Sequence, residues 1–346
     1  MKRFKYLLVY LLPLSVYFSF TSKGFLSFTP LFLFFVLVPL IELFIPADST
    51  NFTQEMAAKE KNNKFYSIIL YLCLPVQIFF LGLFFKAIQV PNLSTIDLAG
   101  RVYSMGLMCG VIGINVGHEL GHRSNRLEQL IGELLLLTSL NTHFLPYHNE
   151  GHHRNVATPK DAATAKKNEW VFAFWIKSHF GSYKEAWHIE NKRMHKKGKF
   201  VFSIYNRMLI YSLANIILLL GIYFFFGWFV LLSFVLAAII GILLLETVNY
   251  IEHYGLLRRL NNNGKYERVK HIHSWNSNHI LGRLLLFNLS RHSDHHYKGS
   301  KKYQILESLP QSPQMPTGYP GMMLLSLIPP IWFRYMNKQL LKYQSI

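Results

Sequence analysis

"FYSIILYLCLPVQIFFLGLFF", residues 65–85, carries no charged side chain. A helix of about 20 such residues crosses the hydrocarbon core of a bilayer. Working outward, similar apolar runs occupy residues 6–21, 25–46, 95–117, 209–226 and 229–247. The first follows Lys2, Arg3 and Lys5 and is short enough to be a signal peptide. No small-residue cleavage site follows it and another run begins at once, so an uncleaved helix is expected. The run at 95–117 carries Asp97 and Arg101 near its start. The last two form a hairpin around Gly227. Two shorter apolar stretches, 131–145 and 321–333, suit re-entrant or interfacial helices.

The composition agrees, with 51% hydrophobic, 15% aromatic and only 16% charged residues among 346. The expected fold class is an all-α integral membrane protein. It has about six transmembrane helices in a single membrane domain, residues 1–346, with a histidine-rich cap from 118–207 and 251–346. An even number of spans puts both termini on one side. Thirty-three of the 36 Lys and Arg residues fall on that side, leaving Lys23, Lys86 and Arg101 elsewhere. The positive-inside rule makes that side the cytoplasm, of a bacterial inner membrane. The same bias accounts for most of the net charge of +18; no nucleic-acid motif is visible. Cys73 and Cys109 lie inside apolar runs and suggest no disulfide framework.

Sixteen histidines are present, and nine of them cluster. His118 and His122 lie in "HELGH", His148, His152 and His153 in "YHNEGHH", His253 in "NYIEHYG", and His292, His295 and His296 in "SRHSDHH". Residues i, i+3 and i+4 share a helix face, so each set can aim imidazoles at one point. Nine imidazoles suit two metal ions better than one, and imidazole suits Zn, Cu, Fe or Ni. "HELGH" also matches the zinc-protease pattern, with Glu119 as general base, although a peptidase leaves seven histidines without a role. A transporter fits less well, because the ligands gather at one face. His179, His188 and His195 are expected to be ordinary surface residues. His143, His271, His273 and His279 are candidates for supporting or substrate-side positions. Ligand histidines commonly give their second N–H to a carboxylate. Glu119, Glu150, Glu252 and Asp294 each lie within two residues of a clustered histidine, and with Asn249 they are the candidates to orient the rings.

The segments "HELGHR", "GHHRNVATPKD", "NYIEHYGL", "HSWNSNH" and "RHSDHH", with the tail "LPQSPQMPTGYPGMMLLSLIPPIWFRYMN", resemble the membrane alkane 1-monooxygenases. That family sits within the superfamily of membrane fatty-acid desaturases and hydroxylases. The resemblance covers roughly residues 60–340, and "NYIEHYG" with "HSWNSNH" is its specific part. It implies six membrane helices, two non-haem irons held by the nine clustered histidines, and O2 as co-substrate. It further implies electrons from NAD(P)H through rubredoxin reductase and rubredoxin, and terminal hydroxylation of an alkane drawn from the bilayer lipids. By analogy, His118, His122, His148 and His152 would share one iron, and His153, His253, His295 and His296 the other, with His292 serving either. Family members often carry Glu directly before the first histidine of the second segment, where this chain has Tyr147. The histidines alone would also fit a fatty-acyl desaturase or hydroxylase, or an aromatic-methyl (xylene-type) monooxygenase. No rubredoxin-type pair of CxxC motifs is seen, so the electron carrier is expected to be a separate chain.

Overall fold

The structure is a computed structural model that describes residues 3–344; Lys2, counted above among the amino-terminal cations, lies outside the described residues. Six helices are long and apolar enough to cross a membrane. They are α1 (Phe4–Thr21), α2 (Gly24–Phe44), α3 (Lys64–Ile88), α4 (Thr95–Gly121), then, after α5 (Arg126–Leu137) and α6 (Val171–Lys196), α7 (Arg207–Phe226) and α8 (Trp228–His253). Short helices α9 (His292–Tyr297) and α10 (Tyr319–Ser326) and the longer α11 (Pro329–Gln344) complete the carboxyl-terminal part. Among the described residues there are only isolated bridges and no strand. The fold is that of an all-α, multi-pass integral membrane protein.

Several spans outrun their apolar stretch because polar residues at the ends still favour helix. Ser94 accepts from the Asp97 backbone N–H at 3.1 Å, and Asn206 accepts from that of Met208 at 3.0 Å. Each supplies an acceptor that the first helical turn lacks. Gly227, with φ +83°, turns α7 into α8. α8 then continues past its apolar run and ends on His253.

The chain divides into two compact units. The first comprises the chain through Val36, Lys64–Pro146 and Ala186–Leu245. Its helices approach closely through small residues. A Cβ on Gly132 would stand 2.8 Å from the Gly117 carbonyl oxygen, and one on Gly241 2.9 Å from the Gly110 nitrogen. The stretch 131–145, expected to be re-entrant or interfacial, supplies the end of α5, which packs on α4 in this unit. Asp97 and Arg101 fasten helix ends. Asp97 accepts from the Gly24 N–H at 2.5 Å, and Arg101 donates to the Ala87 and Ser22 carbonyls at 2.6 and 3.2 Å.

The second unit comprises Leu37–Asn63, Tyr147–Glu185 and Glu246–Ile346. Much of it is irregular, and side chains supply the hydrogen bonds that regular structure would otherwise give. Glu42 accepts from the Gly282 N–H at 2.8 Å. Arg283 reaches the Asp48 carboxylate and Arg291 the Thr50 carbonyl, each at 2.8 Å.

Candidate metal centre

In "SRHSDHH" the short helix α9 puts His292 and His296 one regular turn apart, with Nε2 atoms separated by 2.8 Å. This turn is framed from outside. Ser293 N–H donates to Asn276 Oδ1 and its hydroxyl to the Ser274 carbonyl, both at 2.7 Å. Ser277 N–H and Ser290 Oγ bridge the two stretches at 2.8 Å. The Trp275 indole donates to the Tyr254 carbonyl at 2.9 Å. "HSWNSNH" is therefore a scaffold for α9. His273 pairs with Glu267 at 3.3 Å and His279 with Ser277 at 3.1 Å, so neither turns toward the clustered rings.

His253, the last residue of α8, brings its Nε2 to 3.2 Å from that of His292. His152 completes the set: one ring nitrogen from each of His152, His253, His292 and His296 lies within 4.8 Å of all the others, and all four side chains are buried. A second set, also inside this unit, joins His148, His153 and His295. The Nε2 of His153 stands 3.0 Å from that of His148 and 3.2 Å from that of His295.

This grouping corrects the division by analogy, which put His152 with His148 and separated both from His153 and His295. The reason is local. Residues Tyr147–His152 form a π turn, whose hydrogen bonds run from i to i+5. His148 and His153 thus come together, and His152 swings to the other set. The i, i+4 reading holds for α9, where it pairs His292 with His296 and sends His295 across. In the first unit, His118 and His122 at the end of α4 bring their Nε2 atoms to 3.0 Å; there the i, i+4 reading also holds.

The carboxylate that orients a ring is Asp161, which the two-residue window around each histidine did not reach. Its Oδ2 lies 2.9 Å from His152 Nδ1 and accepts from Thr164 Oγ1 at 2.7 Å, while Tyr147 O–H donates to Oδ1 at 2.5 Å. Burial alone would raise this carboxyl. The His152 imidazole and these hydrogen bonds outweigh burial and hold it at about 2. Tyr147, standing where relatives often have Glu, is thus a partner of the orienting acid, and burial first, then Asp161, pushes its phenol well up. The one signal in the sequence was the final aspartate of "GHHRNVATPKD".

The other expected acids are placed differently. Glu252 is buried, accepts from Tyr319 O–H at 2.8 Å and lies 3.1 Å from His292 Nε2, on the side of that ring that faces the cluster. Asp294 accepts from the Glu307 N–H at 2.8 Å and the Lys301 ammonium at 2.6 Å, with His271 at 4.0 Å. Glu119 accepts from Arg123 at 2.7 Å. Glu150 is exposed, and Asn249 donates to Glu246 at 3.3 Å. His143 is buried in the first unit, and His188 and His195 are exposed as expected. His179 is partly covered, 4.0 Å from Glu246.

The donors fit a metal ion. His152 Nδ1 is engaged by Asp161, while its buried Nε2 has no hydrogen-bond partner among the described residues. That is the arrangement of a carboxylate–histidine–metal triad. Burial first, then neighbouring imidazoles, push His295 and His296 well below the ordinary range, so both are neutral, the form that binds metal. The glutamate that a zinc peptidase would use as general base, Glu119, is already paired to Arg123, which points away from zinc hydrolysis.

Residues 97–324 match the family model described as fatty acid desaturase. The chain is 36% identical to alkane 1-monooxygenase 1 of Pseudomonas aeruginosa, over 99% of this chain and 92% of that one. This chain belongs to the alkane 1-monooxygenase family. It is also 36% identical to the alkane 1-monooxygenase of Ectopseudomonas oleovorans, covering 86% of this chain and 74% of that protein. More distant, at 28% identity over 84% of this chain and 78% of the relative, is the hydroxylase component of the xylene/toluene monooxygenase of Pseudomonas putida. Membership in the alkane 1-monooxygenase family makes the chain an oxidoreductase of the monooxygenase class.

Proposed function

We propose that this chain hydroxylates the terminal methyl of medium- or long-chain alkanes with O2, two non-haem irons and electrons from rubredoxin. The observation that carries the reading is the buried convergence of His152, His253, His292 and His296, with Asp161 holding the first of these rings. Two irons, when bound, supply the activation of O2 that an unactivated C–H bond requires and that acid–base groups cannot provide. His152, His253, His292 and His296 would hold one. His148, His153 and His295 would hold the other, and His118 and His122 join the ligand set on the family resemblance.

The protein's own part is to keep these ligands neutral, oriented and dry. Asp161 fixes the ring of His152, and Tyr147 and Thr164 fix Asp161. Burial of His253 and His292 excludes bulk water from the reacting volume. Such a substrate partitions into the bilayer and enters between the spans. We assign both termini and the ligand face to the cytoplasm of a bacterial inner membrane, an orientation that the charge bias supports. The same cationic surface favours encounter with a small acidic rubredoxin, itself reduced from NAD(P)H by a rubredoxin reductase.

The test uses membranes carrying the chain with rubredoxin, its reductase, NADH and O2, supplied with octane, hexadecane, xylene or a fatty-acyl ester. Mass spectrometry should find 1-alkanols that vanish in His292→Ala. A benzylic alcohol as main product would transfer the assignment to the aromatic-methyl class, which the relation to the xylene/toluene enzyme keeps open. An internal alkene would transfer it to the desaturases.

A further inference from the structure

The stretch 321–333, expected to be re-entrant or interfacial, joins α10 to α11, and its turn leaves no backbone donor open. The first four N–H groups of a helix have no partner within it. At α11, Pro329 and Pro330 carry none. Ile328 donates to the Leu325 carbonyl at 3.1 Å and Ile331 to the Ile328 carbonyl at 3.0 Å. Leu327, one residue earlier, donates to the Leu324 carbonyl at 3.2 Å. No N–H of residues 327–331 is left for water to pair, which is what hydrocarbon demands of a backbone. Yet protein does not cover the turn, since Leu324, Leu327, Ile328 and Ile331 are between 38% and 51% exposed.

Attachment places the turn at the bilayer. The α10–α11 hairpin lies in the second unit, which also holds the ends of the spans α2 and α8. α10 meets α2, where a Cβ on Gly321 would stand 3.7 Å from that of Pro39. α11 runs beside the end of α8. Trp332 packs on Tyr250 and Tyr254, with ring centroids 5.4 and 5.3 Å apart. The Tyr254 hydroxyl donates to Asn337 Oδ1 at 2.9 Å, and Leu340 fills the space beside Gly255. These contacts advance together along both segments, so α11 runs in the direction of α8. Past Thr247, where its apolar run ends, α8 is leaving the bilayer. The turn is therefore the membrane end of α11.

The exposed face of α11 changes chemistry in the same direction. Ile331, Tyr335, Lys338 and Lys342 follow one another at helical spacing, with Arg334 alongside, while Trp332, Met336 and Leu340 are buried on the other face. Ile331 to Lys338 is about 10 Å along the axis, enough to cross a headgroup layer of about 5–8 Å. Tyr335, apolar in body and polar at its tip, falls between them, where such rings settle. Residues 308–346 contain Arg334, Lys338 and Lys342 and no Asp or Glu. Lys342 donates to Gln339 at 2.8 Å, and none of the three pairs with a carboxylate among the described residues. We infer that the α10–α11 turn is inserted among the acyl chains of the leaflet and that Arg334, Lys338 and Lys342 form a binding site for anionic phospholipid headgroups. Near an anionic surface each such cation strengthens attachment about fivefold.

Cys73 and Cys109 are fully buried, so a single added cysteine can be labelled in the full-length protein. Ile328→Cys and Leu341→Cys would carry spin labels in nanodiscs of phosphatidylglycerol and phosphatidylcholine. At 328, collisions with O2 should exceed those with an aqueous nickel chelate, and at 341 the order should reverse. A fluorophore at 341 would then be quenched by phosphatidylglycerol or phosphatidylcholine bearing a spin label high on an acyl chain. The preference for phosphatidylglycerol should fall in Arg334→Gln/Lys338→Gln by about fivefold per charge removed, and Arg334→Lys/Lys338→Arg should retain it. Nickel access at 328 equal to that at 341 would put the turn in water and overturn the inference. Protection of 328 from both reagents would mean that protein covers it, a second copy or a partner, and would overturn it equally. An unchanged preference in the glutamine variant would overturn the headgroup site.

Discussion

Residues 147–161 and 290–297 each supply three imidazoles, and each shares them between both histidine sets, but by different means. The later segment is a regular turn. It pairs His292 with His296 at one turn's spacing and is held from outside, by Asn276 and Ser274 on Ser293 and by backbone links to Ser277. The earlier segment is a π turn that pairs His148 with His153. It is held from within, by a buried side-chain network of Asp161, Tyr147 and Thr164 on His152. A backbone frame fixes where a helix sits; a carboxylate on a ring also fixes which nitrogen faces the metal. The two segments should therefore fail differently.

The largest expected effect separates those two jobs. Asp161→Asn removes the acceptor that orients His152 and should weaken metal binding by roughly 10–100-fold in a chelator competition on the full-length protein. Asp294→Asn alters a carboxylate that serves Lys301 and the Glu307 N–H and should leave metal affinity nearly unchanged. Equal losses in the two variants would break the contrast between an orienting acid and a framing one.

What could be foreseen follows the same division. The spans were legible because burial in lipid demands an unbroken apolar run, and the structure moved their ends by only a few residues. His118 with His122 and His292 with His296 were legible because their turns are regular. The partition of His148, His152 and His153 was not, because a π turn changes which residues superpose and "YHNEGHH" does not display that. Asp161 was missed for a related reason. It returns to His152 through a loop in which the Ala157 N–H donates to Thr164 Oγ1 at 2.9 Å, a closure that sequence distance hides. Asp294, which sequence proximity favoured, turns to Lys301 instead.

A middle-sized effect tests the outer frame. Asn276→Ala leaves the buried Ser293 N–H without its acceptor, a loss of about 1–3 kcal/mol, visible as a lower melting temperature of the metal-free protein. Tyr147→Phe removes one hydroxyl from the inner network and should cost about 1 kcal/mol. Its larger mark should fall on metal affinity, since Asp161 loses a donor. If Asn276→Ala lowered metal affinity more than Tyr147→Phe, framing and orienting would not be separable jobs.

The smallest effect is a difference in pH window. His273 belongs to the outer frame. Burial pushes its imidazole from the ordinary 6.5 down to about 4, against the pull of Glu267, and its Nδ1 accepts from the Lys270 N–H at 3.0 Å. Below 6.5 the unfolded chain takes a proton that the folded imidazole refuses. Its contribution is therefore fully present above about 6.5 and is lost as pH falls toward 4. Asp161 belongs to the inner network, and its carboxyl is lowered from 3.8 to about 2. Its contribution is present above 3.8 and is lost only as pH falls toward 2. The frame should thus weaken at a pH where the network is still intact. Thermal unfolding of metal-free protein across both windows would show this, and His273→Gln should make the slope between pH 6.5 and 4 shallower by one imidazole's share, with the buried His295 and His296 still contributing, while leaving the lower window unchanged. A slope between pH 6.5 and 4 as steep in His273→Gln as in the parent would assign that loss to other groups and erase the distinction in titration between the two segments.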